Sequence, residues 1–251
     1  MTNRVINSKI CLKRGGIIEQ YKEKYRHELK YIMDARDAAS AVFQIRHFME
    51  PDVHYPEGHY RIRSVYFDDI WNTALMENLD GISPRSKYRI RIYNESKESI
   101  RLEQKIKNHD LTTKRSCSLS LEECRCFLRG DAGGIQEEDN RKVLADFRRK
   151  MLWNYLRPKI IIAYERTAFT YPEGNVRITF DSRLAFSGSI HRFWEKALPK
   201  QPVMADGEYV MEVKYDEFLP GCIRQILNTG KMERTKFSKY TMCRMKNTTE
   251  R

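Results

Sequence analysis

Four basic side chains recur at every second position of one short segment, residues 85–93. Read as an extended strand, the segment has one face that carries Arg85, Lys87, Arg89, Arg91 and Tyr93. Like charges that point the same way repel one another unless water solvates them or an anion lies between them. For this strand taken alone, a solvated outer surface remains an open alternative.

Other segments repeat the pattern, and their charged faces are mostly basic with an isolated acid among the cations. These faces are Arg26, Glu28 and Lys30; Arg101, Glu103, Lys105 and Lys107; Arg177, Thr179, Asp181 and Arg183; and Glu212, Lys214 and Asp216. An outer surface usually mixes the two signs more evenly. The repetition therefore favours a closed antiparallel sheet whose charged lumen holds a polyanion.

Phosphate is the anion that such a lumen would suit, because arginine forks and lysine point charges bind it from several directions. An acid among the cations, such as Glu28 or Glu212, could hold Mg²⁺ or Mn²⁺ against the phosphates. Phosphoryl transfer needs little more than positioning and charge neutralisation. The sequence has neither a Walker A motif nor a kinase glycine-rich loop, so side chains would have to bind ATP.

The composition agrees with an anionic partner. The chain has 251 residues, 46 Lys and Arg against 34 Asp and Glu, and a net charge of +12. Such a balance suits a phosphorylated small molecule, nucleic acid or a membrane surface. No aromatic platform motif for bases is evident, so we expect no specific nucleic-acid partner. Six cysteines without a CxxC pair indicate reduced thiols and a cytoplasmic protein, with no signal peptide or membrane-spanning run expected.

The periodicities predict about eight strands and four or five helices in the α+β class. Helices are expected from the cap Asp34 to Met49, from the capping box at Ser120 to residue 129, and over 137–156, 218–227 and 236–246. Phe43 is expected on the buried side of the first helix. The charged faces occur in both halves of the chain. We therefore predict a basic leader at 1–20 and one domain at 21–251, an antiparallel barrel with helices packed outside.

The sequence also resembles a known family, the VTC domain, a polyphosphate polymerase of the triphosphate tunnel metalloenzyme superfamily. The resemblance rests on motifs that run in family order from about residue 25 to 245. They are Glu28-Leu29-Lys30-Tyr31, Arg63 to Asp68, Asp80-Gly81, the alternating cations of 85–93, Glu103-x-Lys105-x-Lys107, Tyr164-Glu165-Arg166, Arg177-x-Thr179-x-Asp181, Glu212-x-Lys214 and Ser238-Lys239-Tyr240.

The resemblance implies an eight-stranded tunnel in which the γ-phosphate of ATP is added to linear polyphosphate with Mn²⁺ or Mg²⁺. It implies Lys30, Arg89, Arg91 and Glu212 as catalytic residues and Glu212, with Glu28, as metal ligand. Phosphate-binding residues would be Arg63, Lys87, Lys105, Lys114, Arg166, Arg177, Lys214, Lys236 and Lys239. Arg26 stands where the wider superfamily often has the first Glu of an ExExK motif, which favours the polymerase branch.

Alternative functions and residue roles stay open at this stage. The same lumen could hydrolyse inorganic or nucleoside triphosphates, or bind polyphosphate or inositol phosphates without catalysis. Glu103 could be an ion-pair partner that holds Lys105, and Asp181 could serve a hairpin end. Arg101 and Lys107 are expected to be exposed. A membrane-protein partner and the oligomeric state are left open.

Overall fold

The structure is a computed structural model that describes residues 24–52, 58–133, 141–227 and 233–249. The predicted basic leader at 1–20 lies outside these residues. Eleven strands are present in the described part of the chain. They are β1 (Arg26–Asp34), β2 (Glu50–Pro51), β3 (Tyr60–Asp68), β4 (Arg85–Tyr93), β5 (Arg101–Asn108), β6 (Leu111–Ser118), β7 (Arg157–Tyr171), β8 (Val176–Ser187), β9 (Gln201–Pro202), β10 (Glu208–Tyr215) and β11 (Glu233–Arg234).

Eight of these strands close into an antiparallel barrel, which confirms the predicted fold class. The order around the ring is β7-β3-β4-β5-β6-β1-β10-β8, and pairing of β7 with β8 closes it. The short strands β2, β9 and β11 extend the sheet beside β7, β8 and β1. Each long strand alternates between an inner face and an outer face, so the register decides which side chains reach the lumen.

Six helices surround the barrel in the described residues: α1 (Ala35–Ile45), α2 (Thr73–Leu79), α3 (Leu121–Leu128), α4 (Lys142–Trp153), α5 (Gly221–Leu227) and α6 (Lys239–Thr249). α1, α3, α4 and α5 pack against outward side chains of the strands, as in the cluster of Tyr88 of β4 with Phe127 and Phe147.

α2 and α6 pack differently from the prediction of helices outside the barrel. Leu75 of α2 and Tyr240 of α6 share a core with Ile160, Ile162 and Val210, which alternate with outward-facing residues and therefore face inward. The barrel interior thus has an apolar part beside α6 and a charged part elsewhere.

The capping residues in the sequence predict where helices begin more accurately than where they end. Asp34 caps α1 by accepting a hydrogen bond from the Asp37 amide at 2.8 Å, and Ser120 and Glu123 form the predicted capping box. However, α1 ends at Ile45, before Met49, and Phe43 is exposed, not buried as predicted.

The remaining helix bounds also differ from the predictions. α4 covers Lys142–Trp153 of the predicted 137–156, and residues 134–140 lie outside the description. α5 begins at Gly221 because the Pro220 carbonyl accepts its first hydrogen bond, from the Arg224 amide at 3.0 Å. α6 is shifted to Lys239–Thr249.

Within the described residues, every helix falls short of the length and apolar content that crossing a bilayer requires.

Candidate functional site

The barrel encloses a cavity of about 790 Å³ whose wall is strongly cationic. Thirteen Lys and Arg side chains border it, against the three carboxylates Glu28, Asp52 and Glu212. The cations are Lys24, Arg26, Lys30, Lys87, Arg89, Arg91, Arg101, Lys105, Lys114, Arg166, Arg177, Lys214 and Lys239. They come from every strand of the ring except β3, from the start of α6 and, for Lys24, from the residues just before β1.

Two carboxylates meet on the neighbouring strands β1 and β10, where Lys30 pairs with Glu212 and Glu28 pairs with Lys214 in the register. Nζ of Lys105 lies 2.8 and 2.7 Å from the two oxygens of Glu28. Nζ of Lys30 lies 3.0 Å from Glu28 and 3.7 Å from Glu212, and Nζ of Lys214 lies 3.3 Å from Glu212. The pair of acids is thus surrounded by three ammonium groups.

Burial and charge have opposite effects on these groups. Burial alone would raise the pKa of Glu212, but Lys214, Lys30 and Lys105 overcome it and hold that pKa well below its ordinary value. Burial lowers the pKa of Lys214 to about 8, although Glu212 and Glu28 act to raise it. Burial would also lower the pKa of Lys30, yet Glu28 and Glu212 leave it raised. Burial and Glu212 would raise the pKa of Glu28, but Lys105, Lys30 and Lys214 lower it below its ordinary value. Both acids are therefore ionised at neutral pH, and the pKa of Lys214 lies just above it.

A third acid, Glu103 of β5, lies behind the lumen wall with only 1% of its surface exposed. Its oxygens are 2.7 Å from Nε of Arg89, 3.7 Å from Nη1 of Arg91 and 2.8 Å from Nζ of Lys114. Burial would raise the pKa of Glu103, but these three cations hold it well below its usual range. Glu103 therefore anchors three lumen cations and is not, as considered from the sequence, the partner of Lys105.

Tyrosine hydroxyls orient the two arginines of β4. Nη1 of Arg89 donates to the Tyr66 hydroxyl at 2.8 Å, and Nη2 of Arg91 donates to the Tyr164 hydroxyl at 3.1 Å. Burial would raise the pKa of Tyr66, but Arg89 and Arg91 lower it below its ordinary value. Together with Glu103, and with the Ser64 hydroxyl that accepts from Nε of Arg91 at 3.2 Å, the tyrosines fix the direction of both guanidinium groups in the wall of the lumen.

Asp181 of β8 holds two further cations and does not serve a hairpin end, which was one alternative from the sequence. Its oxygens accept two hydrogen bonds from Arg166, at 2.6 and 2.7 Å, and lie 2.6 Å from Nζ of Lys239. Four residues earlier on β8, Arg177 is paired with Asp52 and donates to the Tyr60 hydroxyl at 3.1 Å. Such bidentate pairs fix the direction of a guanidinium as well as its charge.

The beginning of α6 borders the lumen through its own contacts. Nζ of Lys30 donates to the Phe237 carbonyl at 2.9 Å, and Nζ of Lys87 donates to the Ser238 hydroxyl at 3.1 Å. The Tyr240 ring stacks on Tyr66 with 5.2 Å between centroids. The first turn of α6 is therefore attached to the barrel by groups that also face the cavity.

Glu28 and Glu212 are the groups that fit a divalent cation best. Mg²⁺ in proteins is usually bound through one or two carboxylates, with waters and substrate phosphates as the other ligands. No group of three or more His, Cys, Asp and Glu residues suited to a metal ion occurs within the described ranges. The donor set therefore suits a metal that shares its coordination with phosphate and does not suit a site built from protein alone.

The model of the VTC domain family matches residues 25–246. The chain belongs to this family. The match spans all eight strands of the barrel and most of α6, so the VTC domain includes every residue of the lumen wall named above except Lys24.

Solved structures with a similar course of the chain were also found. One is a protein from Bacillus halodurans provisionally named an adenylate cyclase, 14% identical, with 86% of this chain and 95% of that chain covered and a TM-score of 0.49. Another, from Hippeastrum, is provisionally named an adenylyl cyclase with a dominant triphosphatase activity; it is 13% identical, with 88% and 96% covered and a TM-score of 0.49. At these scores no functional conclusion follows. A search of curated proteins found no significant match.

Most residues predicted to act in this VTC domain border the lumen. They are Glu28, Lys30, Lys87, Arg89, Arg91, Lys105, Lys114, Arg166, Arg177, Glu212, Lys214 and Lys239. Arg101, expected to be exposed, also borders the lumen. The structure thus brings these groups together, and their roles in binding and catalysis stay predictions.

Two predicted phosphate ligands do not border the cavity. Arg63 is 2% exposed, and its Nη1 donates to the carbonyls of Phe193 and Glu195 at 2.6 and 2.7 Å, on the outer side of β3. This placement corrects the prediction for Arg63, because its guanidinium serves the packing of the segment after β8. Lys236 precedes α6 with an exposed side chain outside the lumen lining.

The sequence reasoning missed the tyrosines and the buried anchors. Tyr60, Tyr93 and Tyr164 border the lumen together with Tyr66, and no binding role was predicted for them. A signal was present for two of them, because Tyr93 shares a strand face with Arg91 and Tyr164 shares one with Arg166. The roles of Glu103 and Asp181 had no such signal, because their partners depend on how the ring closes.

Proposed function

We propose that the protein is a polyphosphate polymerase that transfers the γ-phosphoryl group of ATP to a growing linear polyphosphate chain. The observation that carries the proposal is the excess of cations in the lumen, thirteen against three carboxylates on its wall. Inside a barrel these charges have few water molecules to screen them, so a polyanion is the ligand that relieves their mutual repulsion. Membership of the VTC family supports the same substrate class.

The reaction needs no proton transfer at the reacting phosphorus. An oxygen of the terminal polyphosphate unit attacks the γ-phosphorus of ATP while the bond from that phosphorus to the β,γ-bridging oxygen breaks. The electron pair of that bond leaves with ADP. Arg89 and Arg91, held by Glu103, and Lys30, held by Glu28, would offset the repulsion between the two anions and stabilise the charge of the transition state.

In this proposal Glu28 and Glu212 hold Mn²⁺ or Mg²⁺. The bound ion would neutralise charge on the phosphates of ATP, as metals do in other phosphoryl transfers. Lysines occupy both carboxylates in the present structure. Incoming phosphates offer those lysines stronger anionic partners, so substrate binding would free carboxylate oxygens for the metal.

The scarcity of lumen carboxylates favours a polymerase over a triphosphatase of the same fold. A hydrolase must position and activate water, a task that carboxylates and metals usually share. At the first position of β1, Arg26 supplies a cation, which is paired with Asp216 at 2.9 Å. The wall is therefore better suited to an anionic nucleophile than to water.

Incubation of the purified protein with ATP and Mn²⁺, or Mg²⁺, tests the proposal. We expect polymer on a gel together with one ADP for each phosphate transferred. Release of free phosphate without polymer would instead indicate a triphosphatase. Binding of tripolyphosphate with no turnover of ATP would indicate a polyphosphate-binding module, and efficient displacement by DNA would indicate a nucleic-acid protein.

A further inference from the structure

Ten large apolar side chains remain exposed at one end of the barrel. In the residues that the structure describes, thirteen such side chains are at least 41% exposed, and ten of these lie around α2, at the end of α4 and on α6. Single exposed apolar side chains are ordinary on a protein surface, whereas a concentration of them marks an interaction site.

The strand register brings these segments to the same end of the barrel. Asp68, the last residue of β3, is opposite Arg157, the first residue of β7, and Phe67 is opposite Tyr88 near the start of β4. The chain therefore leaves β3 for α2, enters β4 after α2 and enters β7 after α4 at neighbouring points.

α2 and the residues beside it contribute five of the ten. Ile70 and Trp71 precede the helix, Met76 and Leu79 lie on it, and Ile82 follows it. Each of these side chains is 47% exposed or more. One side of α2 packs on the barrel through Leu75, so the exposed set belongs to the remaining surface of the helix.

α6 extends this apolar surface, because two hydrogen bonds attach it to α2. The Thr241 hydroxyl bonds the Asn78 amide group at 2.8 Å, and Nη2 of Arg244 donates to Oδ1 of Asn72 at 2.8 Å. Between and beside these contacts, α6 leaves Met242 and Met245 exposed.

The end of α4 supplies the other aromatic side chains. Leu152, Trp153 and Tyr155 are 44%, 73% and 53% exposed. A groove of about 520 Å³ separates this segment from α2. Trp71 borders the groove, whereas Trp153, the most exposed of the ten, lies outside its lining. The surface therefore has both a protruding aromatic ring and a depression.

The charges on this surface differ between its two sides. The acids Asp69, Glu77 and Asp80 accompany α2, whereas the cations Lys150 and Arg157 accompany the end of α4. A two-fold axis places the acidic side of one copy opposite the basic side of another, and the same contact then occurs twice. An anionic bilayer surface would instead be repelled by the three acids.

The size of the surface is that of a stable dimer interface. A large aromatic side chain can bury about 150–250 Å², so ten large side chains that are about half exposed offer on the order of 800 Å². Specific protein–protein interfaces bury about 800 Å² on each partner.

We propose that this end of the barrel is the interface of a homodimer, in which α2 and α6 of one copy pack against the end of α4 of the other. The two-fold axis directs Trp153 of each copy toward the groove of the other, an aromatic anchor in a pocket. The proposal is independent of the proposed function, because none of the ten exposed side chains borders the lumen.

Light scattering over a range of protein concentrations tests the proposal on wild type, Trp153→Glu and Phe43→Glu. Phe43 is a matched control, because it is 69% exposed but lies on α1, which packs beside β1 and β10. We expect wild type at twice the chain mass of 29.9 kDa. Trp153→Glu should raise the dissociation constant of the dimer at least roughly thirtyfold, the effect of a lost hot-spot residue, and Phe43→Glu should leave it unchanged.

Tryptophan fluorescence identifies the surface that the dimer uses. Two of the three tryptophans, Trp71 and Trp153, lie on the proposed interface. Their emission should shift to shorter wavelength over the concentrations at which the mass doubles, because they move from water into an apolar contact. A dimer that forms without this shift would use another surface and would overturn the proposal.

Three further results would contradict the proposed interface. They are a wild type that stays monomeric at every concentration, a Trp153→Glu protein that dimerises as wild type does, and equal losses in Trp153→Glu and Phe43→Glu. Met76→Glu, with thermal unfolding as the check that each variant folds, repeats the test from the α2 side. A monomer that sediments with anionic lipid vesicles would assign the surface to a bilayer instead.

Discussion

Glu103 and Arg89 form a close ion pair in the wall of the lumen, with Nε and Nη2 of the arginine each 2.7 Å from Oε2 of the glutamate. The same carboxylate holds Lys114 at 2.8 Å. One buried anion therefore supports several cations whose mutual repulsion would otherwise oppose folding.

Replacement of Glu103 by Gln should lower the free energy of unfolding by roughly 3 kcal/mol, because removal of one partner from a buried ion pair leaves uncompensated charge. The value is at the low end of the usual range because half of the Lys114 side chain is exposed. Urea unfolding measures the change. Added tripolyphosphate should restore more stability to this variant than to wild type, since it supplies the missing negative charge.

Glu165→Gln is the control for this prediction. Glu165 pairs with Arg183 at 3.1 Å in an exposed ion pair, and such pairs contribute about 0–1 kcal/mol. Equal losses of stability in the two variants would contradict the anchoring role of Glu103.

Replacement of Glu212 by Gln should abolish turnover and preserve binding of phosphates. The change removes a carboxylate proposed to hold the metal, and a loss of roughly hundredfold or more in rate is expected. ADP formation and tripolyphosphate binding are measured on the same preparation. Glu208→Gln, on the same strand but outside the lumen lining, should retain full rate. A wild-type rate for the Glu212→Gln variant would contradict the proposal that Glu212 holds the metal.

Binding of tripolyphosphate should weaken as the pH rises through about 8. Lys214 has a pKa lowered to about 8, so it is charged below this pH and must take up a proton to bind an anion above it. Linkage then raises the dissociation constant by up to about tenfold per pH unit between pH 8 and 9.5. Affinity measured from pH 6.5 to 9.5 tests the prediction.

The Lys214→Met variant should bind tripolyphosphate more weakly than wild type at pH 7, and its affinity should change less with pH. Burial, with Lys105 and Lys30, also lowers the pKa of Lys87, so Lys87→Met is measured beside it to separate the two lysines. Parallel profiles for wild type and Lys214→Met would show that another group titrates.

Replacement by Met should affect stability at Arg63 and anion binding at Arg89. Arg63→Met removes the donor to two carbonyls on the outer side of β3 and should cost about 1–3 kcal/mol of stability, with tripolyphosphate affinity unchanged. Arg89→Met should weaken tripolyphosphate binding by roughly tenfold, the effect of a lost charge-assisted contact. If Arg63→Met weakens anion binding in the folded protein, the sequence-based prediction for Arg63 is right and the correction is wrong.

The inner face of the barrel could be predicted because strand alternation is local. Arg89 and Arg91 face the lumen and Ile90 faces the core, as the period of two requires. For Arg63, the resemblance implied a phosphate ligand, whereas the period of two places it on the same strand face as Val65 and Phe67, which lie in the outer core. The structure follows the alternation.

The partners of the charged groups could not be predicted, because they depend on the closure of the ring. Lys105 binds Glu28, which lies 77 positions earlier in the chain. Neighbouring strands of a barrel are offset by its shear, so acids and bases from distant segments meet at levels that no local pattern reveals. The exposed Phe43 is a similar case, because α1 contributes Ala38, Ala41 and Ile45 to the core and turns Phe43 toward solvent.

The β7–β8 ladder has a consequence for the shape of the anion that can enter the barrel. Once this ladder is formed, each of the eight long strands has a neighbour on both sides, so the wall cannot splay without breaking main-chain hydrogen bonds. We therefore expect the width of the lumen to change little when a ligand binds. If the proposed function is right, an unbranched phosphate chain should bind more tightly than a cyclic or branched phosphate of equal charge.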